Sequence, residues 1–419
     1  MNGLYLREGF IETEWSNIFR PQRITRFQFQ FNFKSREEVK LMANENKSNI
    51  LTFFMNYDWY KKYLLPGFIA QSVLVAGGYG TGRELVEYFV QYGPTGGLMG
   101  MGLTAVLWAV LFALSFEFAR VFKAYDYRTF FEKLIGKGWV IYEASFIVLL
   151  FLIMGVVGAA SGSILRDTFN LPPIIGSGIF LIMVAYLTYS GSKLIEIVMS
   201  WWSYLLYAVY FCLLFITITK FGGSISANFA ADIVKPGWQM GGFKYAFYNI
   251  AVVSTILFSL NYIKTRREAI ISGVVASLIC IAPALMFHLV MSGFYPEVLG
   301  MEIPINGIVA KLGVKFLLAA WLITLFGTMI ETGVGFFHSI NERINSTLVA
   351  KRGTGMSNLA RGAVGTVLAA IGLIISNFGL IALIAKGYGT ISWIFFILQG
   401  VALCTIGVYK IYEHGKASK

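Results

Sequence analysis

Long apolar segments alternate with short polar ones from residue 59 to the carboxyl terminus. A membrane-spanning helix needs roughly 20 apolar residues, and about ten segments meet that length. We therefore predict an all-α polytopic membrane protein. The predicted spans cover about residues 64–92, 97–122, 139–165, 173–189, 194–219, 243–263, 270–294, 316–340, 359–375 and 391–412, and the apolar run 380–385 is too short to span and is expected to form a separate half-helix.

Composition supports a membrane location and excludes a soluble domain. Hydrophobic residues make up 57% and charged residues 13% of the chain, whereas soluble domains carry about 25% charged residues. The net charge of +12 does not indicate nucleic-acid binding, because the basic residues lie in short loops between apolar segments. The three cysteines lie in separate apolar segments, so neither a disulfide framework nor a zinc site is predicted.

Residues 1–58 form a polar, basic amino-terminal arm, distinct from the transmembrane domain predicted over residues 59–419. The arm lacks the apolar core and the small-residue cleavage site of a signal peptide. Met42 and Met55 are alternative starts. We expect the arm either to be poorly ordered or to lie outside the native protein.

Lysine and arginine are concentrated in alternate loops, among them 120–137, 264–267 and 343–361. Cytoplasmic loops carry such an excess, so we predict a multi-pass protein of the cell (cytoplasmic) membrane with both termini in the cytoplasm. Residues 127–134 have the amphipathic pattern of a short helix at the inner membrane surface. The lipid bilayer is therefore an expected partner, and the oligomeric state is not predicted.

The first predicted span contains a polar interruption, Ala76-Gly77-Gly78-Tyr79-Gly80-Thr81-Gly82-Arg83-Glu84. Each glycine weakens a helix by roughly 1 kcal/mol relative to alanine. A charge at membrane depth is tolerated only where it faces protein or water. A broken helix of this kind indicates a transporter binding site. The alternative is a glycine-rich packing face beside a salt-bridged pair of Arg83 and Glu84.

Ten spans divide into two sets of five, which have opposite orientations in the membrane, as in an inverted repeat. The two repeats are predicted over about residues 64–221 and 243–412, with discontinuous first and sixth helices. The sixth span supplies hydroxyl and amide groups as candidate substrate contacts. These are Ser254, Thr255, Ser259 and Asn261.

The motif Gly78-Tyr79-Gly80-Thr81-Gly82-Arg83-Glu84, followed by Tyr88-Phe89, resembles the G-F-A-S-G-Q-E…F-F signature of the YkvI-type bacterial membrane proteins. That family resembles distant members of the amino acid–polyamine–organocation superfamily, whose fold is the five-plus-five inverted repeat. The likeness extends from about residue 64 to the carboxyl terminus. Gly80 and Arg83 depart from the signature, which has alanine and glutamine there. The resemblance implies a transporter fold and the activity of an amino acid permease.

Residues 78–83 are the candidate substrate contacts of the first span. The amides of residues 82–84 would begin the outer half of the helix and attract an anionic group. Arg83 is expected either to bind a substrate carboxylate in two-pronged fashion or to pair with Glu87 one turn later. Because burial disfavours the charged form of a carboxylate, Glu84 is a candidate proton or cation site. Its alternative role is that of a structural partner of Arg83 or of a backbone amide.

Coupling to sodium is implied by the resemblance, because in the superfamily hydroxyls of the eighth helix and carbonyls of the first form a sodium site. The matching positions here are Ala76, Gly77, Thr328 and Thr332. Helical hydroxyls often bond back to the carbonyl four residues earlier instead. Glu331 could replace sodium with a proton. No other cofactor or metal is predicted.

Other polar residues in the spans receive a structural interpretation. Glu117, Glu143 and Glu196 lie near predicted inner ends beside basic residues, which favours pairing at a gate or at the surface. His288 is expected to be a packed, hydrogen-bonded core residue. No nucleophile with a base and no set of metal ligands indicates an enzyme.

The leading hypothesis is a secondary active transporter of a small organic solute, an amino acid or related zwitterion, coupled to sodium or protons by alternating access. The alternative is a non-transporting membrane receptor or sensor of the same fold.

Overall fold

Helices make up nearly all of the structure, a computed structural model that describes residues 57–75, 77–190 and 192–417. Within these ranges, side chains are described except at 188–204 and at a set of positions between 331 and 358. The described ranges contain no β-strand. The predicted amino-terminal arm lies outside them apart from its last two residues, so its expected lack of order stays a prediction.

In the described part of the chain, eight helices are long and apolar enough to cross a membrane, judged by length and composition. The interrupted segment 65–92 and the helix Pro173–Ser190 bring the spans to the predicted ten, which we number in chain order. The eight long helices are Pro94–Phe122 (span 2), Tyr127–Phe169 (span 3 with a preceding surface helix), Leu205–Ala230 (span 5), Trp238–Tyr262 (span 6), Arg266–Ser292 (span 7), Lys315–Phe337 (span 8), Leu359–Ser376 (span 9) and Leu380–Ala417 (span 10).

Several helices run beyond the ends that hydropathy predicts. Span 3 proper is Trp139–Phe169, and the helix of span 8 continues to Arg352. Span 5 belongs to the helix Ser192–Ala230, which is kinked at Phe221, where φ is −126°. Polar residues at the membrane surface can continue a helix, so hydropathy marks where a span is apolar rather than where the helix ends.

Successive spans run in opposite directions, and we name the two faces of the protein by the predicted orientation. The inner face carries the loops 123–126 and 263–265, and the outer face carries Gly93 and the loops 231–237 and 293–314. The assignment of these faces to cytoplasm and exterior remains a prediction from the distribution of lysine and arginine.

The expectation of a separate half-helix at 380–385 is wrong. Residues 380–417 form one helical run that includes π-helical turns, the first at Leu383–Tyr388. Lys386 and Gly387 interrupt the apolar pattern but not the helix, because one glycine costs only about 1 kcal/mol and the lysine side chain is exposed. The run 380–385 is therefore the beginning of span 10.

Span 6 is discontinuous in its hydrogen-bond pattern. The α-helix Trp238–Asn249 passes into a 3₁₀ turn at Ile250–Val252, returns to α-helix at Val253–Ile256 and ends in the 3₁₀ segment Leu257–Tyr262. Such changes leave individual carbonyls without their usual partners. The predicted discontinuity of the sixth helix therefore takes the form of 3₁₀ turns.

The predicted amphipathic surface helix is confirmed as Tyr127–Ile135. Asp126 caps it by accepting a hydrogen bond from the Thr129 amide at 2.9 Å. One face of the helix is buried in the protein and the other is exposed at the inner surface. The buried residues are Phe130, Phe131 and Leu134.

Spans 2 and 7 approach each other closely at Gly273. A Cβ atom at Gly273 would lie only 2.6 Å from the Cα of Ala113 in span 2. One turn further along span 7, the Ser277 hydroxyl donates to the Ala105 carbonyl at 2.7 Å. Small residues at such crossings let helix backbones pack by van der Waals contact.

We expect Gly273→Val to destabilise the protein by about 1–3 kcal/mol, because the added side chain must separate two packed helices. Thermal unfolding in detergent measures the effect. The matched control is Gly102→Val in span 2, where a Cβ would have no atom within 4 Å. Equal unfolding temperatures for the two variants would contradict the close crossing.

Candidate functional site

Span 1 is interrupted between Val75 and Arg83, which confirms the predicted break. The helix Leu65–Leu74 ends at Val75, where ψ is 63°. A single helical turn follows at Gly77–Gly80. The backbone then turns at Gly82, where φ is +80°, a conformation that glycine adopts without strain.

Thr81 satisfies backbone groups on both sides of the break. Its hydroxyl donates to the Gly78 carbonyl at 2.7 Å and accepts from the Arg83 amide at 3.2 Å. Its carbonyl accepts from the Ile305 amide at 3.1 Å. Irregular backbone at membrane depth requires such internal partners. Thr81, a predicted substrate contact, therefore holds the break together.

The Glu84 side chain lies across the break and reaches span 6. Its Oε2 accepts a hydrogen bond from the Tyr248 hydroxyl at 2.5 Å. Its Oε1 occupies the space that a Cβ at Gly78 would fill. Glu84 is 4% exposed. Glycine at position 78 thus leaves room for a buried carboxyl group.

Within the described residues, Glu84 forms no ion pair, and its hydrogen-bond partner is Tyr248. Its neighbour Arg83 pairs with Glu87 at 3.3 Å, one of the two roles that the sequence left open. The interpretation of Glu84 as a partner of Arg83 is wrong, because consecutive helical residues do not face each other. A buried carboxylate without a cationic partner is costly when charged. A proton, a cation or the cationic group of a ligand would stabilise it.

Tyrosines from three spans pack around Tyr248. Tyr388 of span 10 stacks on it with ring centroids 4.7 Å apart, and the rings of Tyr88 and Tyr245 each lie 5.6 Å from it. The Tyr88 hydroxyl donates to the Ile384 carbonyl at 2.8 Å. The Tyr245 hydroxyl is buried and has no partner among the residues that the structure describes. The cluster joins spans 1, 6 and 10 beside Glu84.

A second aromatic group contacts the break through Tyr79. The Tyr79 ring lies 5.9 Å from Phe287 of span 7, and Tyr210 of span 5 lies 4.6 Å from Phe287 and 6.0 Å from Trp321 of span 8. The Tyr79 hydroxyl and the Trp321 Nε1 are buried without a hydrogen-bond partner in the described ranges. Buried polar groups are normally paired, so these atoms are suited to contact a ligand.

The outer segment 293–314, which contains the helix Pro304–Leu312 and which we call the lid, covers the break. The buried Ile305 packs so closely on Gly82 that a Cβ there would lie 2.8 Å from its Cγ1. At the edge of the lid, Glu302 accepts a hydrogen bond from Arg166 of span 3 at 2.9 Å. These contacts show the break closed from the outer face.

The Arg83 guanidinium connects span 1 to the lid. Its Nη1 donates to the carbonyls of Leu299 and Met301 at 3.1 and 3.2 Å, and its Nη2 donates to Glu87. Its Nε has no partner among the described residues, although Arg83 is only 7% exposed. Arg83 also lines a cavity of about 490 Å³ near the outer end of span 1.

Ser254 belongs to a network that supports the 3₁₀ turn of span 6. Its hydroxyl lies 2.6 Å from the hydroxyl of Tyr142 in span 3, which donates to Gln399 of span 10 at 3.4 Å. The Gln399 amide donates to the Ile250 carbonyl at 3.1 Å. Tyr142 and Gln399 are buried. This network supplies a partner to a carbonyl at the discontinuity.

The other three polar residues predicted in span 6 do not join Glu84. Thr255 donates to the Val252 carbonyl and Ser259 to the Ile256 carbonyl, each at 2.7 Å. Asn261 is exposed at the inner end of the span. Their predicted contact with a substrate remains a prediction.

The predicted sodium positions are described only in part. The hydroxyls of Thr328 and Thr332 donate to the carbonyls four residues earlier, at 2.9 and 3.0 Å. This back-bonding uses the hydroxyl protons and leaves oxygen lone pairs for a cation. Span 8 reaches the break at Gly80, where a Cβ would lie 3.0 Å from Leu325. The structure does not describe Ala76 or the side chain of Glu331, and it describes only the backbone of Gly77.

Two structural interpretations of polar residues are confirmed. Glu117 pairs with Arg120 at 2.7 Å near the inner face. His288 is buried, and its Nε2 lies 2.7 Å from the Pro94 carbonyl. The structure does not describe the side chain of Glu196.

Sequence reasoning missed Tyr248, Tyr388 and Gln399. A tyrosine in an apolar span gives little signal, because its ring is compatible with both core and membrane interface. Two clues were present. Tyr245 and Tyr248 are three residues apart and share a helix face, and Gln399 is the one side-chain amide in span 10.

No protein-family model and no curated protein matches the chain. Solved structures do match it. MhsT in complex with L-phenylalanine has a TM-score of 0.51 and 17% identity, covering 81% of this chain and 86% of that one. A mutant of the Eremococcus coleocola manganese transporter has a TM-score of 0.55 and 12% identity, covering 85% and 80%.

A third match is a Na⁺-coupled sialic acid symporter in a substrate-bound outward-open state. Its TM-score is 0.52 and its identity 13%, with 82% of this chain and 79% of that one covered. These similarities establish the architecture. The chain has the LeuT fold, an all-α polytopic membrane fold with ten spans in a five-plus-five inverted repeat and discontinuous first and sixth helices.

Proposed function

We propose that the chain is a secondary active transporter of a small organic solute that works by alternating access around spans 1 and 6. The observation that carries the proposal is the interrupted span 1 with the Glu84 carboxyl buried beside it and no ion pair to it among the described residues. Solved proteins of the same fold support it. They include MhsT bound to L-phenylalanine, a Na⁺-coupled sialic acid symporter and a manganese transporter.

An amino acid or related zwitterion is the first solute class to test. The break and its surroundings offer a buried carboxyl at Glu84 for an ammonium group, and polar atoms of Tyr79, Tyr245 and Trp321 that have no partner in the described part of the chain. The motif of residues 78–84 supports membership of the YkvI-type family within the amino acid–polyamine–organocation superfamily.

The coupling ion is sodium or a proton. Glu84 supports a proton, because protonation removes a charge that burial makes costly. The hydroxyls of Thr328 and Thr332 support sodium, as does the Na⁺-coupled symporter of the same fold, and the resemblance implies Ala76 and Gly77 as further ligand positions. We further propose that the protein lies in the cell membrane with both termini in the cytoplasm, on the distribution of its basic loops.

We expect Glu84→Gln to abolish gradient-driven accumulation of amino acids while it preserves exchange of solute between the two sides. The amide keeps the shape of the side chain but carries neither a charge nor a titrating proton. Uptake of a mixed labelled amino-acid pool into proteoliposomes, with sodium and proton gradients imposed in turn, measures both the accumulation and the coupling ion.

Glu132→Gln on the exposed face of the surface helix is the matched control and should accumulate solute like the wild type. No accumulation by folded, inserted wild-type protein under either gradient would overturn the amino-acid proposal. Ligand binding without flux would favour the alternative receptor or sensor. Unchanged accumulation in Glu84→Gln would remove Glu84 from coupling.

We expect Tyr248→Phe to destabilise the protein by about 1.5–3 kcal/mol, because it removes the hydroxyl that donates to a buried carboxyl. Thermal unfolding in detergent measures the change. Tyr409→Phe is the matched control, since Tyr409 also donates to a carboxylate, Glu413, but on an exposed surface. The control should cost a few tenths of a kcal/mol at most. Similar costs for the two variants would contradict the buried pairing.

A further inference from the structure

A cavity of about 490 Å³ lies near the outer end of span 1, beside the lid. Two of its lining residues are charged, and both are cationic. Its lining includes Arg83, Val86, Gln91, Tyr92, Lys235 and Leu299. The cavity is distinct from the surroundings of Glu84, which faces Tyr248 of span 6.

Arg83 presents one edge of its guanidinium without a strong partner. The Nη1 group is used by the lid carbonyls of Leu299 and Met301. On the other edge, Nε is buried and unpartnered within the described ranges, and Nη2 is held by one contact of 3.3 Å to Glu87. The Nε and Nη2 hydrogens of an arginine point the same way and match the two oxygens of a carboxylate.

The electrostatics of the cavity favour an anion. Lys235 adds a second positive charge, and its Nζ lies 5.5 Å from the centroid of the Tyr295 ring. The carboxylate that faces Arg83 is Glu87, whose side chain is 22% exposed. Glu87 therefore occupies only one of the two donors and competes weakly for the edge.

We propose that this cavity is an outer binding site for a carboxylate group, held by the Nε–Nη2 edge of Arg83 and attracted by Lys235. The inference rests on the proposed function, because the carboxylate is that of the solute on its way to the break. The incoming carboxylate displaces Glu87 from Nη2 and leaves the Nη1 bonds to the lid intact. A free inorganic anion shares this chemistry, so the experiment separates the two sources.

The experiment measures thermal unfolding of the purified full chain in detergent, since a ligand that binds only the folded state stabilises it by RT ln(1 + [L]/Kd). Acetate replaces chloride at constant ionic strength, and acetamide serves as the neutral probe of the same shape. L-alanine is the zwitterionic probe. We expect the unfolding temperature to rise with the logarithm of the acetate or L-alanine concentration above the apparent Kd, and to stay unchanged with acetamide. An unfolding temperature that stays the same when acetate replaces chloride would overturn the assignment to a carboxylate.

Four variants test the geometry. Arg83→Lys keeps the positive charge but loses the two parallel N–H donors of the guanidinium, so the apparent affinity for acetate should fall at least about tenfold. Lys235→Gln, at a more exposed charge, should lower it about twofold to fivefold. Glu87→Gln removes the competing carboxylate and should tighten acetate binding severalfold. Lys315→Gln, at another exposed outer lysine, is the matched control and should bind like the wild type.

Tighter binding in Glu87→Gln is the decisive result, because a merely structural role of the Arg83–Glu87 pair predicts no gain. Unchanged or weaker binding in that variant would overturn the proposal. Acetate binding should persist in Glu84→Gln, which separates the outer site from the break. Binding without flux would refute the proposed transport and leave the site standing, whereas flux with acetate binding unaffected by Arg83→Lys would refute the site alone.

Discussion

The structure depends on how the broken backbone of span 1 is satisfied. A helix interrupted at membrane depth frees donors and acceptors that neither lipid nor water can pair, so the protein must supply partners. Thr81 supplies two of them through its hydroxyl, which donates to the Gly78 carbonyl and accepts from the Arg83 amide, and its own carbonyl accepts from the Ile305 amide. Because Ile305 belongs to the lid, the bond that satisfies the break also closes it from the outer face. Local backbone chemistry and the accessibility of the site are therefore linked.

The two charged residues after the break contact opposite sides of it. Arg83 and Glu84 are adjacent in sequence, yet consecutive positions on a helix point about 100° apart, so the two charges do not neutralise each other. Arg83 reaches the lid and the outer cavity, while Glu84 reaches Tyr248 in span 6. Each side chain retains unused binding capacity: among the described residues, the Arg83 Nε has no hydrogen-bond partner and the buried Glu84 carboxyl has no ion pair. A zwitterion carries groups complementary to both.

The sequence alone reveals the spans, the break and the charged residues beside it, because apolar length, glycine and intramembrane charge are local signals. It does not reveal that Thr81 is structural or that Glu84 pairs with Tyr248, since these contacts join residues more than a hundred positions apart or depend on a left-handed glycine at position 82. The predicted half-helix at 380–385 is wrong because Lys386 lowers the local hydropathy, although the helix of span 10 continues through it. Long-range pairing and backbone conformation are what a one-dimensional pattern lacks.

Opening toward the outer face has a definite structural requirement. The Ile305–Thr81 bond and the two bonds from Arg83 to the lid must break, and each hydrogen bond contributes about 0.5–1.5 kcal/mol, with more where a charge is involved. A ligand shifts such an equilibrium only through different affinities for the two states. A carboxylate that replaces Glu87 on the Nε–Nη2 edge of Arg83 leaves the lid bonds in place, so its arrival does not by itself open the lid. Opening must change the partners of both the Thr81 carbonyl and the Arg83 Nη1 group, so control of opening lies where the break meets the lid, and the cavity serves only to bind the incoming carboxylate.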